Sequence, residues 1–326
     1  MTDTKHGMKA KTIKSIIHNK VNDWLESIED VTLRKRVAKN TIVTGGCIAS
    51  MLLGEEVNDF DVYFRDHDTA LAMAKYYLDK FQHREHKKGA KGIPTPMTVQ
   101  DRDGRIKLVV KSAGIASEEG TDKPYQYFEG QPDESAAAYV GDVLNDPAQI
   151  EDTYQEITEA SERTTAKEKN KETYRPVFLT TNAITLSGKI QIILRFYGEP
   201  DQIHENYDFV HCMNYWTSWD NVLALRQEAL GALLSKNLQY VGSKYPVCSM
   251  VRVRKFLQRG WYINAGQIVK MALQISELNL RDFKVLEDQL TGVDTAYFVQ
   301  LLERVKEHDP DKVDAAYVCE IIDRIF

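Results

Sequence analysis

Two aspartates, Asp59 and Asp61, stand two residues apart in Asp59-Phe60-Asp61-Val62-Tyr63-Phe64, and this short run constrains the fold more than any other. Polar and apolar residues alternate at its start, the pattern of a half-buried strand. Residues i and i+2 of a strand share a face, so the two carboxylates point one way while Phe60 and Val62 point into the core. Paired carboxylates repel each other unless a cation neutralises them, and Mg²⁺ prefers such hard oxygen ligands. Taken alone, an Asp-x-Asp pair fits an exposed strand face beside a turn equally well. What precedes it narrows the reading.

Upstream, Thr41-Ile42-Val43-Thr44 is β-branched throughout and reads as a buried strand ended by Gly45-Gly46. Residues Cys47 to Leu53 then read as a short helix, closed by Gly54. Glycines at such a junction let the backbone approach a ligand closely, and the helix N-terminus offers unpaired N–H groups to phosphate oxygens. Ser50, one helical turn further, adds a hydroxyl. No Gly-Lys-Ser/Thr follows, so this is not a Walker loop. Twelve residues, Cys47 to Asn58, separate the glycines from Asp59.

Strand, Gly-Gly, short helix and Asp-x-Asp strand together resemble the signature of the DNA polymerase β superfamily of nucleotidyltransferases. That signature is Gly-Gly or Gly-Ser, a spacer of about this length, then Asp-hydrophobic-Asp-hydrophobic. Asp59-Phe60-Asp61-Val62 matches it, while Thr44 is less apolar than the residue usual before the glycines. The resemblance is local, covering Ile42 to Phe64, and extends to phage-encoded nucleotidyltransferase-like proteins.

The resemblance implies an α/β fold in which a small mixed sheet is flanked by helices. It implies Mg²⁺- or Mn²⁺-dependent transfer of NMP from an NTP to an acceptor, with release of pyrophosphate. Asp59 and Asp61 would bind the metals, one neutralising the triphosphate and one activating the attacking hydroxyl. Gly45, Gly46 and Ser50 would hold the phosphates. The superfamily uses a third carboxylate from a neighbouring strand. Asp208, in Asn206-Tyr207-Asp208-Phe209-Val210, is the candidate, a turn or capping aspartate being the other reading. The run from Tyr245 to Trp261 also resembles a segment of the phage proteins. Its Arg252, Arg254, Lys255 and Arg259 fit contacts to a triphosphate or an RNA backbone, with Arg252 and Lys255 the nucleotide-binding candidates. A solvated helix face is the plainer alternative. His204, Asp208 and His211 form a rival set, since on a helix their spacing would present them together to a zinc ion.

The rest of the chain frames this motif. An amphipathic helix is predicted from about Lys11 to Ile28, with Ile13, Ile16, Ile17, Val21, Trp24, Leu25 and Ile28 as its apolar stripe. A shorter basic helix follows over Thr32 to Lys39, and another starts at Asp68, read as its N-cap, and runs to Phe81. A basic loop over 83–91 and a hairpin around Asp103-Gly104 come next. The acidic stretch from Glu129 to Glu172 reads as a polar insertion. Strands are expected over Val177–Leu186, Ile190–Phe196 and Phe209–Trp216. Helical periodicity then runs to the end, including Val222–Leu234, Ala296–Val305 and Val313–Ile325. The expected domains are therefore a core over 1–216, with its insertion at about 84–174, and a helical domain over 217–326.

Composition adds exclusions. The 326 residues carry a formal net charge of −6, which argues against nonspecific coating of nucleic acid. The clustered arginines and lysines nonetheless favour an RNA or tRNA end as acceptor, with a protein or small molecule as the alternative. A further alternative is a nucleotide-binding interaction module without catalysis. The four cysteines are scattered with no Cys-x-x-Cys pair, as expected for reduced thiols. No signal-like or membrane-spanning apolar run is present, so a cytoplasmic location, in the host if phage-encoded, is expected.

Overall fold

The computed structural model describes residues 7–87, 97–110, 174–179 and 182–290. The expected acidic insertion and the helices at 296–305 and 313–325 lie outside these residues. The fold is the expected mixed α/β arrangement. Chain contacts divide it into two units. Of the described residues, the first unit takes those up to Asp201 and Tyr215–Ala224, and the second takes Gln202–Asn214 and those from Leu225 onward.

The first unit is built on a seven-stranded sheet. Helices α1 (Ala10–Glu26) and α2 (Val31–Val37) lead into β1 (Thr41–Thr44), α3 (Gly46–Leu53) and β2 (Phe60–Phe64). Helix α4 (His67–Lys87) follows, then the separate hairpin of β3 (Met97–Arg102) and β4 (Arg105–Val110). Strands β5 (Pro176–Leu179), β6 (Ala183–Leu186) and β7 (Ile190–Tyr197) return to the sheet. After the short helix α5 (Pro200–His204), β8 (Tyr215–Thr217) and β9 (Val222–Ala224) complete it. The spatial order is β5-β6-β7-β2-β1-β8-β9, antiparallel at every pair except β2 with β7.

The apolar stripe of α1 is buried as expected at Ile13, Ile17, Val21, Trp24 and Leu25, while Ile16 is only half-buried at the stripe's margin. Full burial of such a side chain stabilises by about 1.5–3 kcal/mol. Inside this contact the Trp24 indole N–H donates to the Tyr77 hydroxyl at 2.8 Å, joining α1 to α4. Burial pushes the Tyr77 hydroxyl well above its usual pKa, so it stays a neutral acceptor.

Five boundaries differ from the sequence expectation, each for a local reason. Asp66, not Asp68, caps α4, its carboxylate accepting from the Thr69 amide at 2.7 Å and the Thr69 hydroxyl at 2.9 Å. The same helix continues to Lys87, which takes 83–87 out of the expected basic loop. The stretch 177–186 is two strands rather than one, since β5 and β6 pair antiparallel. The stretch 209–216 holds a 3₁₀ turn (Val210–Cys212), and only Tyr215 onward joins the sheet. Helix 222–234 starts late because Asp220 and Asn221 make a tight hairpin turn. Asn221, with φ of 51°, accepts from the Trp216 indole at 2.8 Å, and Asp220 accepts from the Thr217 hydroxyl at 2.5 Å. Val222–Ala224 therefore becomes β9.

The second unit is helical, as the periodicity suggests, with two short strands. It comprises α6 (Gln227–Ser235), β10 (Asn237–Leu238), α7 (Pro246–Gln258), β11 (Tyr262–Ile263), α8 (Ala265–Ser276) and α9 (Phe283–Leu290). Strands β10 and β11 pair parallel.

Replacing Trp24 by Phe keeps the ring in place but leaves the buried Tyr77 hydroxyl without its donor. The expected cost is about 1–3 kcal/mol in urea-denaturation free energy with an unchanged far-UV spectrum. A Trp24→Phe protein as stable as the parent would remove this contact from the account of the core.

Candidate functional site

Strand β1 is buried along its whole length, which suits its β-branched residues. It ends at Gly45, whose φ of 95° and ψ of −151° lie in a region essentially restricted to glycine. That conformation turns the chain directly into α3, with Gly45 at the cap position and Gly46 as the first helical residue. Gly46 is exposed, and a Cβ built there meets nothing within 4 Å. The glycine is therefore not demanded by internal packing. Ser50 follows four residues later in α3 and is half-buried. The helix closes at Gly54, in the left-handed conformation with φ of 70°.

The loop from Glu55 returns the chain to β2, and the β6–β7 turn holds it. The Lys189 ammonium donates to Glu56 Oε1 at 3.2 Å and to the Val57 carbonyl at 3.3 Å, while the Phe60 amide donates to the Lys189 carbonyl at 2.8 Å. Asp59 lies immediately before β2, between these anchors, and Asp61 is the second residue of the strand. Both aspartates are half-buried. Phe60, Val62 and Phe64 are buried on the alternate positions. Thr44 pairs with Asp61 across β1 and β2, so the Gly45-Gly46 turn begins one residue past the partner of Asp61. Helix N-terminus and carboxylate strand thus meet at the same end of the sheet.

As a metal site, the donor set on this strand is two carboxylates. Mg²⁺ is commonly held by one or two carboxylates plus the phosphates of its substrate, so the residues fit that cation when it arrives with a nucleotide. Among the described residues, no group of three or more His, Cys, Asp or Glu side chains gathers where it would hold a metal by itself. The zinc set of His204, Asp208 and His211 is therefore not assembled.

Two residues that the sequence singled out separately are brought together in the second unit. Arg252, on α7, donates from Nη1 to Asp208 Oδ2 at 2.6 Å, and Asp208 is buried. The carboxylate thus has a cationic partner within its own unit, and Arg252 spends its charge there. Arg254, Lys255 and Arg259 are exposed along and just beyond α7. Beside this pair His211 is buried, its ring centroid 4.4 Å from that of Trp261 and 4.8 Å from that of Phe256. Burial lowers its pKa to about 4, with the nearby Asp208 charge acting in the opposite direction. No local pattern points to this aromatic cluster, because its members come from the 3₁₀ turn, α7 and the residue just before β11.

The fold and this site define a mixed α/β protein with a glycine turn and paired aspartates at one sheet end. The Gabija anti-defense 2 family profile matches residues 15–236, and the chain belongs to that family. The match contains the whole glycine–aspartate region and ends before α7. A curated relative, Gabija anti-defense 2 of Bacillus phage SPbetaL7, is 23% identical over 123 residues, covering 37% of this chain. The chain spans only 31% of that relative's length. Among solved structures, the Thermotoga maritima CCA-adding enzyme complexed with tRNA is similar at 12% identity and a TM-score of 0.36, covering 90% of this chain and 57% of the enzyme. An apo form of a CCA-adding enzyme gives 10% identity and a TM-score of 0.40, covering 94% and 56%. Among the described residues, no helix is long and apolar enough to cross a membrane.

The depressed pKa of His211 has a consequence for stability. The unfolded chain takes up the proton near pH 6.5 and the folded chain only near pH 4, so His211 contributes stability above pH 6.5 that is lost as pH falls through 4. The difference corresponds to about 3 kcal/mol. Chemical denaturation at pH 7, 5.5 and 4 is expected to show a steeper loss in the parent than in His211→Leu. Parallel curves would mean that His211 titrates alike in the folded and unfolded chains.

Proposed function

We propose that this chain is a divalent-metal-dependent nucleotidyltransferase through which its phage counters the Gabija defence. The observation that carries this reading is the register of β1 against β2. It sets Asp61 opposite Thr44, and hence the carboxylates beside the Gly45-Gly46 helix entry. A triphosphate needs both features at once: backbone N–H groups for its oxygens, and carboxylates that share its counter-cation. The family name supports the anti-defence role, and the local signature supports the chemistry.

On this reading Gly45 and Gly46 admit the phosphates to the N-terminus of α3, and Ser50 lies within one turn of them. Asp59 and Asp61 hold Mg²⁺ or Mn²⁺, which when bound neutralises the triphosphate and favours departure of pyrophosphate. Lys189 keeps Asp59 in place by tethering the preceding loop. The exposed Arg254, Lys255 and Arg259 favour an RNA acceptor, as polyanions are bound through such side chains. Asp208 is held by Arg252 within the second unit, so the metal role rests on Asp59 and Asp61. A second reading, an NTP-binding module without transfer, is favoured by the absence of acidic residues from β1 and β7, the strands flanking β2.

Incubation of the purified chain with α-labelled NTPs, Mg²⁺ or Mn²⁺, and total RNA and protein from a Gabija-carrying host tests this directly. Label is expected in one RNA band, and Asp59→Asn or Asp61→Asn is expected to lower it on the order of a hundredfold or more. Label in a protein band would move the acceptor, and retention by both variants would remove the aspartates from the site.

Gly46→Val gives a complementary measurement. The added side chain has open space, so the protein is expected to fold normally yet bind NTP at least about tenfold more weakly, a loss of roughly 1.4 kcal/mol. Unchanged NTP affinity in the folded variant would exclude the α3 entry as the phosphate site.

A further inference from the structure

One polar row crosses the sheet at Asp61. Residues opposite one another in neighbouring strands present their side chains to the same face. The registers run Thr185, Gln191, Asp61, Thr44 and Tyr215 across β6, β7, β2, β1 and β8. Two residues further along, the pairs Ala183–Ile193 and Ile42–Tyr63 are mostly apolar, and the β2–β7 register shifts between Val62 and Phe64. Gln191 stands out within β7, since Ile190, Ile192, Ile193 and Leu194 are all apolar and fully buried. It is itself only 8% exposed. A buried carboxamide in such a strand costs desolvation unless it finds a partner, and its neighbour on one side is the carboxylate of Asp61.

Charge decides what this neighbour allows. Two divalent ions lie ~3.5–4 Å apart in two-metal sites, and such crowding of positive charge needs anionic oxygens from several directions. Neither strand flanking β2 supplies one: β1 is Thr-Ile-Val-Thr and β7 is Ile-Gln-Ile-Ile-Leu-Arg-Phe-Tyr. A carboxamide is neutral, so beside Asp61 it supplies none of the negative charge that a second cation would need. A single Mg²⁺ needs no more than one or two carboxylates and the phosphates themselves.

We infer that this site loads one divalent cation, carried in by the triphosphate, and that Gln191 sets that number by occupying the place beside Asp61 where a third carboxylate would be needed. The inference rests on the reading of Asp59 and Asp61 as metal ligands. It makes Gln191 a positioning residue, expected to hydrogen-bond a phosphate oxygen or Asp61 itself.

Counting bound Mn²⁺ by electron paramagnetic resonance tests this, using the full chain saturated with the α,β-methylene analogue of ATP. The parent is expected to hold one Mn²⁺ per chain, and Gln191→Glu two. A second measurement is the thermal midpoint. Mn²⁺ is expected to raise it more for Gln191→Glu, where the added carboxylate is costly to bury without a cation, than for the parent. Two ions in the parent would overturn the inference while leaving Asp59 and Asp61 as ligands. One ion in both proteins, with equal thermal shifts, would remove Gln191 from the site. No ion in the parent, and no difference on Asp61→Asn, would overturn the metal reading itself.

Discussion

Every residue of β2 is committed to one of two faces, and a slip of one residue in its pairing with β1 or β7 would exchange them. On one face Val62 packs in register with Val43 of β1 and Ile192 of β7, and Val43 in turn with Trp216 of β8. All four are at most 1% exposed. That apolar row fixes the register, because shifting it would bring Asp61 into the core and Val62 out of it. The opposite face inherits its order from the same constraint. Thr44 must then lie beside Asp61, and the glycine turn that follows Thr44 must begin at the carboxylates.

The ends of β2 show how the surrounding chain protects this geometry. At its start, the Lys189 ammonium and carbonyl tie down the loop and the first amide of the strand. At its far end, the Arg65 guanidinium pairs with Glu199, and the Gly198 amide donates to the Phe64 carbonyl at 3.0 Å. Exposed ion pairs of this kind contribute little energy each. Their value lies in direction, since they fix the two ends of β2 while its apolar residues fix the middle. The second unit follows a different rule. Its charged pair, Asp208 with Arg252, is largely removed from water, where an unpaired charge would be costly, so each group depends on the other.

Some of this was legible without coordinates. The alternation in Asp59–Phe64, the β-branched run before the glycines and the stripe of α1 each rest on local periodicity, and each element formed where expected. The type I′ character of the Asp103-Gly104 turn, with φ of 52° and 69°, was likewise written in the dipeptide. Boundaries set by side-chain partners were not legible. Asp66 and Asp68 are equivalent caps in sequence, and only the position of Thr69 chooses between them. Asp220-Asn221 turns β8 back into β9 because Trp216 and Thr217 are at hand to donate to it, a relation that apolar spacing does not record.

The candidate site divides in the same way. Sequence alone determined that Gly45, Gly46, Asp59 and Asp61 belong to one constellation, because strand pleat and turn chemistry act over a few residues. Tertiary structure decided the company they keep. Gln191, 130 residues downstream of Asp61, becomes its neighbour only through the parallel pairing of β2 with β7. Asp208 and Arg252, read separately from the sequence, meet as a part-buried pair only once the second unit has folded. Pairing across such separations is set by which apolar faces close over one another, and no local pattern carries that information.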